Sequence, residues 1–496
     1  MRERGTSLRV RICRTLDLVN ETRWFRCAAW VVALATGSLA REARADEPRS
    51  DRETRLFDES AEITNVADAF DPPNWWDIRG SVGFRQFWKH ANIRRESTLT
   101  GVAGNGFVAT NENVASFKEN TSILDLKLEI GIYKDLAAYV HLPLVMANSR
   151  ELSDLNGSSQ NAQRFLDPSG AAMFGVPFKS PTRSGLDQLA VGLHYDITNQ
   201  TRSPWLPTWL VGLEARFAIG PRLHACNDGA AVKCPDPSKP GVERDPGISR
   251  GMNAYVFNTV VSRRMGYVEP YFGMRATIED PQSNSDYGTT LGAKGNILTR
   301  PPIVGASAVG VEIVPWERRE AAQRVSVDVR VTGEYHSPGR DYSEMFDALG
   351  SSQAPTLRAP VPNGYKASPA DATRSIADPA AGSVFFTGIT DQHAYTTFSG
   401  ALSVTWQANE LLKFNAGGGL TFASSHAITA GDACNSSITN DAGASGPCRS
   451  ARSATQLQVT GIPNPNYRAV IDAPGHRFIA DDTTIVHLNI TGTLMF

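Results

Sequence analysis

No stretch of this 496-residue chain approaches the roughly 18–20 consecutive apolar residues that a membrane-spanning helix requires. If the chain crosses a bilayer, strands must do it, with backbone bonds that close on one another. HExxH and G-x-S-x-G are also missing, as is a glycine-rich phosphate loop between a strand and a helix. Their absence removes the zinc-protease, serine-hydrolase and nucleotide chemistry built on those spacings. The nine His are scattered and never stand at zinc spacing with a cysteine. Basic and acidic side chains number 49 and 51, so no positive excess points to nucleic acid as a partner. Neither a cofactor nor a metal is expected.

The first 45 residues read as a secretory signal peptide. Arg23 and Arg26 precede an apolar run over 27–40, and Ala43-Arg44-Ala45 offers a small-x-small cleavage site before Asp46. That run is too short for a retained anchor. Residues 1–45 carry nine Arg and four acids, and their loss leaves 40 basic against 47 acidic side chains, a net charge of −7. Cys27 leaves with them, and Phe25-Arg26 before it do not form a lipobox. The four remaining cysteines form two close pairs, Cys226/Cys234 and Cys434/Cys448, in polar Gly/Asp/Pro-rich segments. In an oxidising compartment each pair is expected to close a local disulfide. The rival metal reading lacks CxxC spacing and has one His near each pair, His224 and His426.

Polar and apolar residues alternate strongly in what remains. Segment 124–132 reads L-D-L-K-L-E-I-G-I, 209–217 W-L-V-G-L-E-A-R-F and 325–334 V-S-V-D-V-R-V-T-G-E. Side chains of a strand switch face at each residue, so Asp125, Lys127 and Glu129 share one face, as do Asp328, Arg330 and Glu334. Charges at every second position line an interior, while the apolar face between them meets lipid. Twelve such segments are predicted: 76–88, 121–133, 136–147, 185–197, 207–220, 252–264, 266–279, 302–315, 320–336, 393–407, 410–424 and 483–496. Each exceeds the roughly 9–11 residues of a tilted membrane strand. The predicted fold is all-β, a transmembrane antiparallel up-and-down β-barrel over 75–496. About twelve strands are expected, or fourteen if 148–184 or 425–482 holds another hairpin.

Loop lengths and aromatic placement support this. Short connections fall near 134–135, 199–206, 265, 316–319 and 408–409. Long ones occupy 89–120, 148–184, 221–251, 280–301, 337–392 and 425–482, the periplasmic/outer asymmetry of bacterial barrels. Residues 337–392, rich in Pro, Ala, Gly and Ser, read as a long exposed loop. Trp75, Trp76, Trp205, Trp209, Trp316 and Trp406, six of the seven Trp after residue 45, fall at the short-turn rim with Tyr133, Tyr267 and Phe496. This is the pattern of an interfacial girdle. Residues 46–74 form a polar acidic leader with two open readings, a periplasmic tail or a lumen plug, and 63–70 permits a short helix. Gly417-Gly418-Gly419, inside a predicted strand, marks a kink or the close approach of an inward-folded loop.

Two resemblances add to this. The closing strand 485–496, I-V-H-L-N-I-T-G-T-L-M-F, puts Val486, Leu488, Ile490, Leu494 and Phe496 on one face. It resembles the carboxy-terminal insertion signal of bacterial outer-membrane barrels, which implies outer-membrane lipid, lipopolysaccharide and the barrel-assembly machinery as partners, the last through Phe496. Residues 185–220 run Gly185-Leu186-Asp187-Gln188-Leu189, Val191-Gly192-Leu193-His194-Tyr195, then Val211-Gly212-Leu213-Glu214-Ala215-Arg216-Phe217 and Ile219-Gly220-Pro221. This resembles a hairpin of the phenol-degradation meta-pathway transporters, distant relatives of the long-chain fatty-acid channels. Gln188 and Ala218 depart from that pattern. The resemblance implies a role in uptake of small molecules and transfers no binding residue.

Strand parity predicts a lumen lined by Arg79, Arg85, Asp125, Lys127, Glu129, Asp196, Glu214, Arg216, Glu269, Arg275, Glu312, Asp328, Arg330, Glu334 and Lys413. Eight acids against seven bases suit a non-catalytic channel for small solutes with modest selectivity, since strongly selective pores use rings of one sign. The same mixture suits a closed barrel braced by ion pairs that binds through its loops. A lipid hydrolase is the third reading, and His336-Ser337 with Glu334 or Asp341 is its only adjacent pair at a plausible depth. Neighbouring strand residues diverge, which argues against it.

Overall fold

The computed structural model describes residues 61–496 apart from 72–73, 101–106, 159–171, 237–238, 240, 290–291, 294, 361–364, 368–374, 379, 381, 385, 439–447, 454–455 and 460. The expected signal peptide and residues 46–60 lie outside the described residues. Among the described residues, twelve long strands form one antiparallel ladder: β1 (Ile78–Thr100), β2 (Phe107–Tyr133), β3 (Leu136–Ser153), β4 (Gln188–Thr198), β5 (Thr208–Ala218), β6 (Met252–Ser262), β7 (Val268–Pro281), β8 (Val304–Arg318), β9 (Gln323–His336), β10 (Tyr395–Asn409), β11 (Leu412–Ala423) and β12 (Phe478–Met495). Each pairs with its sequence neighbour. The ring is completed by β12, which pairs with β11 on one side and β1 on the other. Ile78 and Phe496 exchange backbone hydrogen bonds of 3.1 and 2.9 Å where the ends meet. The protein is a closed, transmembrane, up-and-down β-barrel.

Alternation decides which way each strand faces. Leu126, Leu128, Val191, Leu193, Leu213, Val309, Val329, Val331, Leu402, Leu488 and Ile490 are all exposed on the outer wall, which in water would be a gross liability. Around a barrel in a bilayer it is the lipid contact. Trp75, Trp76, Trp205, Trp209, Trp316, Trp406, Tyr133, Tyr267 and Phe496 are likewise exposed, grouped at the short-turn rim.

The expected loop 89–120 is instead a continuation of β1 and β2. These strands span 23 and 27 residues, far more than a bilayer needs, and pair in register from Ile78↔Ile130 to Thr100↔Phe107, with one shift at Ile93/Arg94. The reason is a reversal of polarity. Below Lys89 the inward positions include the polar Ser81 and Arg85 beside Gly83 and Phe87, but above it they are Ala91 and Ile93, both buried, with His90 and Asn92 turned outward. Beyond the lipid, the apolar face turns in, as in a soluble sheet.

Loop 337–392 also departs from expectation, because its first part is buried rather than exposed. The helix Phe346–Gly350 is buried at every residue and sits in the outer mouth. It joins twenty buried side chains drawn from β1, β2, β3, β12 and the long connections, among them Phe117, Leu152, Phe178, Met345, Leu349 and Phe478. An ionic frame surrounds this core. Asp347 accepts from the fully buried Arg183 at 2.6 and 3.2 Å and from the Cys226 N–H at 3.0 Å. Lys89 pairs with Glu344 at 2.7 Å and Arg150 with Glu119 at 2.9 Å. Two disulfides, Cys226–Cys234 and Cys434–Cys448, close loops in the same outer region.

The leader enters the opposite end of the barrel. Residues 62–64 form a turn, with the Thr64 N–H bonded to the Ala61 carbonyl at 2.8 Å, and 65–68 continue without the helix that the sequence permits. Ala69 then exchanges hydrogen bonds of 3.0 and 2.8 Å with Lys134 in the β2–β3 turn. Gly131 makes room for this, since a Cβ there would lie 2.0 Å from the Asp68 carbonyl oxygen.

Two tests follow from the outer cap. Replacing Asp347 by Ala strands Arg183 without a counter-ion, at an expected cost of roughly 3–5 kcal/mol in denaturant unfolding of the refolded barrel. The second concerns Asp472. Burial raises its carboxyl most, the Asp391 carboxylate adds to this, and the N–H groups of Arg468 and Gly431 oppose both, leaving it up at about 7. The folded state therefore holds a proton that the unfolded chain releases near its ordinary pKa, so stability falls as pH rises through that window. Thermal stability is expected to be higher at about pH 5.5 than at about pH 8, with the difference reduced in Asp472→Asn.

Candidate functional site

Chemistry available to a solute lies inside the barrel, in layers set by strand register. Near the short turns, Glu269 and Glu312 stand directly opposite each other on β7 and β8. Arg264 separates these like charges, bonding them at 2.7 and 3.2 Å. The leader inserts into this layer. The Glu62 N–H donates to Glu312 at 2.9 Å, and the Glu62 carboxylate pairs with Lys413 of β11 at 2.8 Å and Arg324 of β9 at 3.4 Å. The Ala67 N–H donates to Glu129 at 3.1 Å, Arg79 donates to the Val66 carbonyl at 3.0 Å, and the Thr64 and Ser262 hydroxyls lie 2.9 Å apart. Lys127 completes the surroundings of Glu129 at 2.7 Å. Asp196, at the inner end of β4, is bonded by Asn199 at 3.4 Å.

Two constellations of one design occupy the middle of the barrel, four strands apart. Tyr139 of β3 lies over Gly192, its direct partner on β4, and donates its hydroxyl to Glu214 of β5 at 2.6 Å; Arg216 donates to the same carboxylate at 2.5 Å. Tyr271 of β7 lies over Gly310, its direct partner on β8, and donates to Asp328 of β9 at 2.6 Å; Arg330 donates to that carboxylate at 3.1 Å and to the Tyr271 oxygen at 2.9 Å. Glycine is required beneath each ring. A Cβ at Gly192 would sit 2.3 Å from the Tyr139 ring, and one at Gly310 would sit 2.2 Å from the Tyr271 hydroxyl. Asp125 is bonded to Arg85 and accepts from His141 at 2.7 Å, and nearer the mouth Arg275 meets Glu334 at 2.5 Å. Gly419 follows the same rule: it faces His487 on β12, and a Cβ would lie 2.5 Å from that ring. A side chain, rather than a loop, makes the approach expected there.

Fourteen of the fifteen residues assigned inward from the sequence have a charged partner in these layers; the exception is Asp196, whose buried carboxylate is bonded, among the described residues, only by Asn199. Glu62, Arg264, Arg324, Tyr139 and Tyr271 belong to them as well. For Arg324 and Tyr271 strand parity alone is informative, because each shares its face with a charge already assigned inward; β3 carries no assigned charge, so nothing in the sequence placed Tyr139. His336 and Ser337 take separate partners. The imidazole stacks on Tyr395 at 4.2 Å and 9°, while Ser337 Oγ accepts the Ile303 N–H at 2.9 Å.

No family model and no curated protein matches the chain. Among solved structures it is similar to an outer membrane channel from Pseudomonas putida F1, with 8% identity, 91% of this chain and 100% of that chain covered, and a TM-score of 0.33. It is similar to a Pseudomonas aeruginosa FadL homologue at 8% identity, 84% and 90% coverage and a TM-score of 0.31. It is similar too to the outer membrane protease OmpT from Escherichia coli at 6% identity, 85% and 97% coverage and a TM-score of 0.27. The barrel assignment rests on this chain's own closed ladder.

The Tyr-over-Gly rows supply a test. Gly310→Val drives a side chain into Tyr271 and dislodges it from Asp328, with an expected loss of about 1–3 kcal/mol in urea unfolding of the barrel in liposomes. Gly305→Val, where a Cβ meets nothing within 4 Å, is the control expected to leave stability unchanged.

Proposed function

We propose that this protein is a non-catalytic transporter of small solutes in the bacterial outer membrane, closed at rest by its own leader. The observation that carries the reading is the mode of closure. Residues 61–69 occupy the inner end of a charged lumen through polar contacts centred on Glu62, with only a small apolar contact of Val66 and Ala67 against Ala137 and Leu210. The Glu62–Lys413 pair keeps partial access to water, with 26% of the Glu62 side chain exposed, so that contact exchanges for hydration at modest cost, whereas Arg324 is almost wholly buried and holds the leader more firmly. The same reading includes export by a signal peptide cleaved near Ala45, outer-membrane lipid and lipopolysaccharide around the wall, and barrel assembly engaging Phe496. The second reading, a closed barrel acting through its outer loops, draws on the twenty-residue core in the mouth.

Single-channel recording of the mature chain in a planar bilayer separates them. Glu62→Ala removes both ion pairs and is expected to raise the frequency of discrete conductance steps above that of the unaltered chain. Silence from both chains, each folded by heat-modifiable migration, would contradict the transporter reading and favour the loop-binding one.

A further inference from the structure

Acids and bases in the lumen are almost equal in number, but they are not equally accessible. Each mid-barrel carboxylate is held to the wall by a second donor on another strand. Tyr139 holds Glu214, Tyr271 holds Asp328, and His141 holds Asp125. The paired cations stand further into the open lumen. Side-chain exposure is 32% for Arg216 against 13% for Glu214, 37% for Arg330 against 15% for Asp328, and 47% for Arg275 against 24% for Glu334. The pairs Arg85–Asp125 and Lys127–Glu129 follow the same order. Of the acids nearest the short turns, Glu269 and Glu312 are almost wholly buried beside Arg264.

The geometry points to a lumen that presents cations to its solute and selects small anions, carboxylates above all. This inference rests on the transporter reading and names its substrate class. A solute feels the nearest charges most, because interaction falls with distance and with screening. The wall-side carboxylates already accept from two donors each. A guanidinium carries five N–H donors in a planar fork that matches a carboxylate, and Glu214 accepts one of those of Arg216. Aromatic rings support the cations from behind: Arg330 lies 5.6 Å from the Tyr271 ring centre and Lys127 lies 4.7 Å from that of Tyr139. A count of charges gives near-neutrality, whereas the surface a solute meets beyond the Glu62 layer, where the acid is the more exposed partner of Lys413 and Arg324, is positive.

Reversal potentials under a salt gradient test this on the full mature chain. The expected chloride-over-potassium permeability ratio is roughly three or more, falling to about one or below when Arg216→Gln and Arg330→Gln are combined. The double Lys substitution is expected to keep the preference, which separates charge from any loss of fold. Discrete steps with cation preference, or with none, would overturn the inference while leaving the transporter reading intact. If the folded chain passes no current, calorimetric titration with benzoate and with neutral benzamide decides the matter separately. Benzoate binding that the double Gln variant loses supports the inference, and equal or absent binding of the two overturns it.

Discussion

Backbone hydrogen bonds cannot be left open in hydrocarbon, and every other feature of this protein follows from how that constraint is met. The ladder has no free edge because β12 satisfies β11 on one side and β1 on the other. Closure places one face of all twelve strands in lipid and the other around an enclosed lumen. The lipid face then has to be apolar. The inner face cannot be filled by apolar packing from the strands alone without sealing the barrel, so it carries charges, and each charge needs a partner within reach across the wall.

That need explains the internal architecture. Two strands of separation is a long reach for an Asp or Glu, and a tyrosine laid over a glycine of the intervening strand bridges it. The device appears at Tyr139–Gly192–Glu214 and again at Tyr271–Gly310–Asp328. Tying down the carboxylates leaves the longer cationic side chains as the accessible surface. At the short-turn end the same chemistry accepts a piece of the chain itself: Glu62 joins Lys413 and Arg324, and Gly131 lets the leader backbone lie against β2.

Much of this was legible from alternation, and the lapses have one cause. All twelve strands, the girdle at the short-turn rim and the two disulfides follow from residue order, because in the bilayer the rule that polar residues face inward is strict. It fails where the strands leave the lipid. At Ala91 and Ile93 the inward residues become apolar, so the extended β1–β2 hairpin resembled loop. Loop 337–392 looked exposed because its Ala, Gly and Ser content hides the compact stretch from Met345 to Gly350, which is buried against the outer ends of the strands. Which lumen charges pair with which, and that Glu62 from the leader joins them, depend on contacts across hundreds of residues and leave no local signal.

The most direct test of the central claim, that the leader sits in the lumen and closes it, uses the 2.9 Å contact between the hydroxyls of Thr64 and Ser262. With Thr64→Cys and Ser262→Cys combined, oxidation is expected to cross-link the leader to β6 and abolish conductance steps that each single variant retains. Complete cross-linking with undiminished steps would show that residues 61–69 do not occlude the path. Failure to cross-link in the folded barrel would show that they do not reside there.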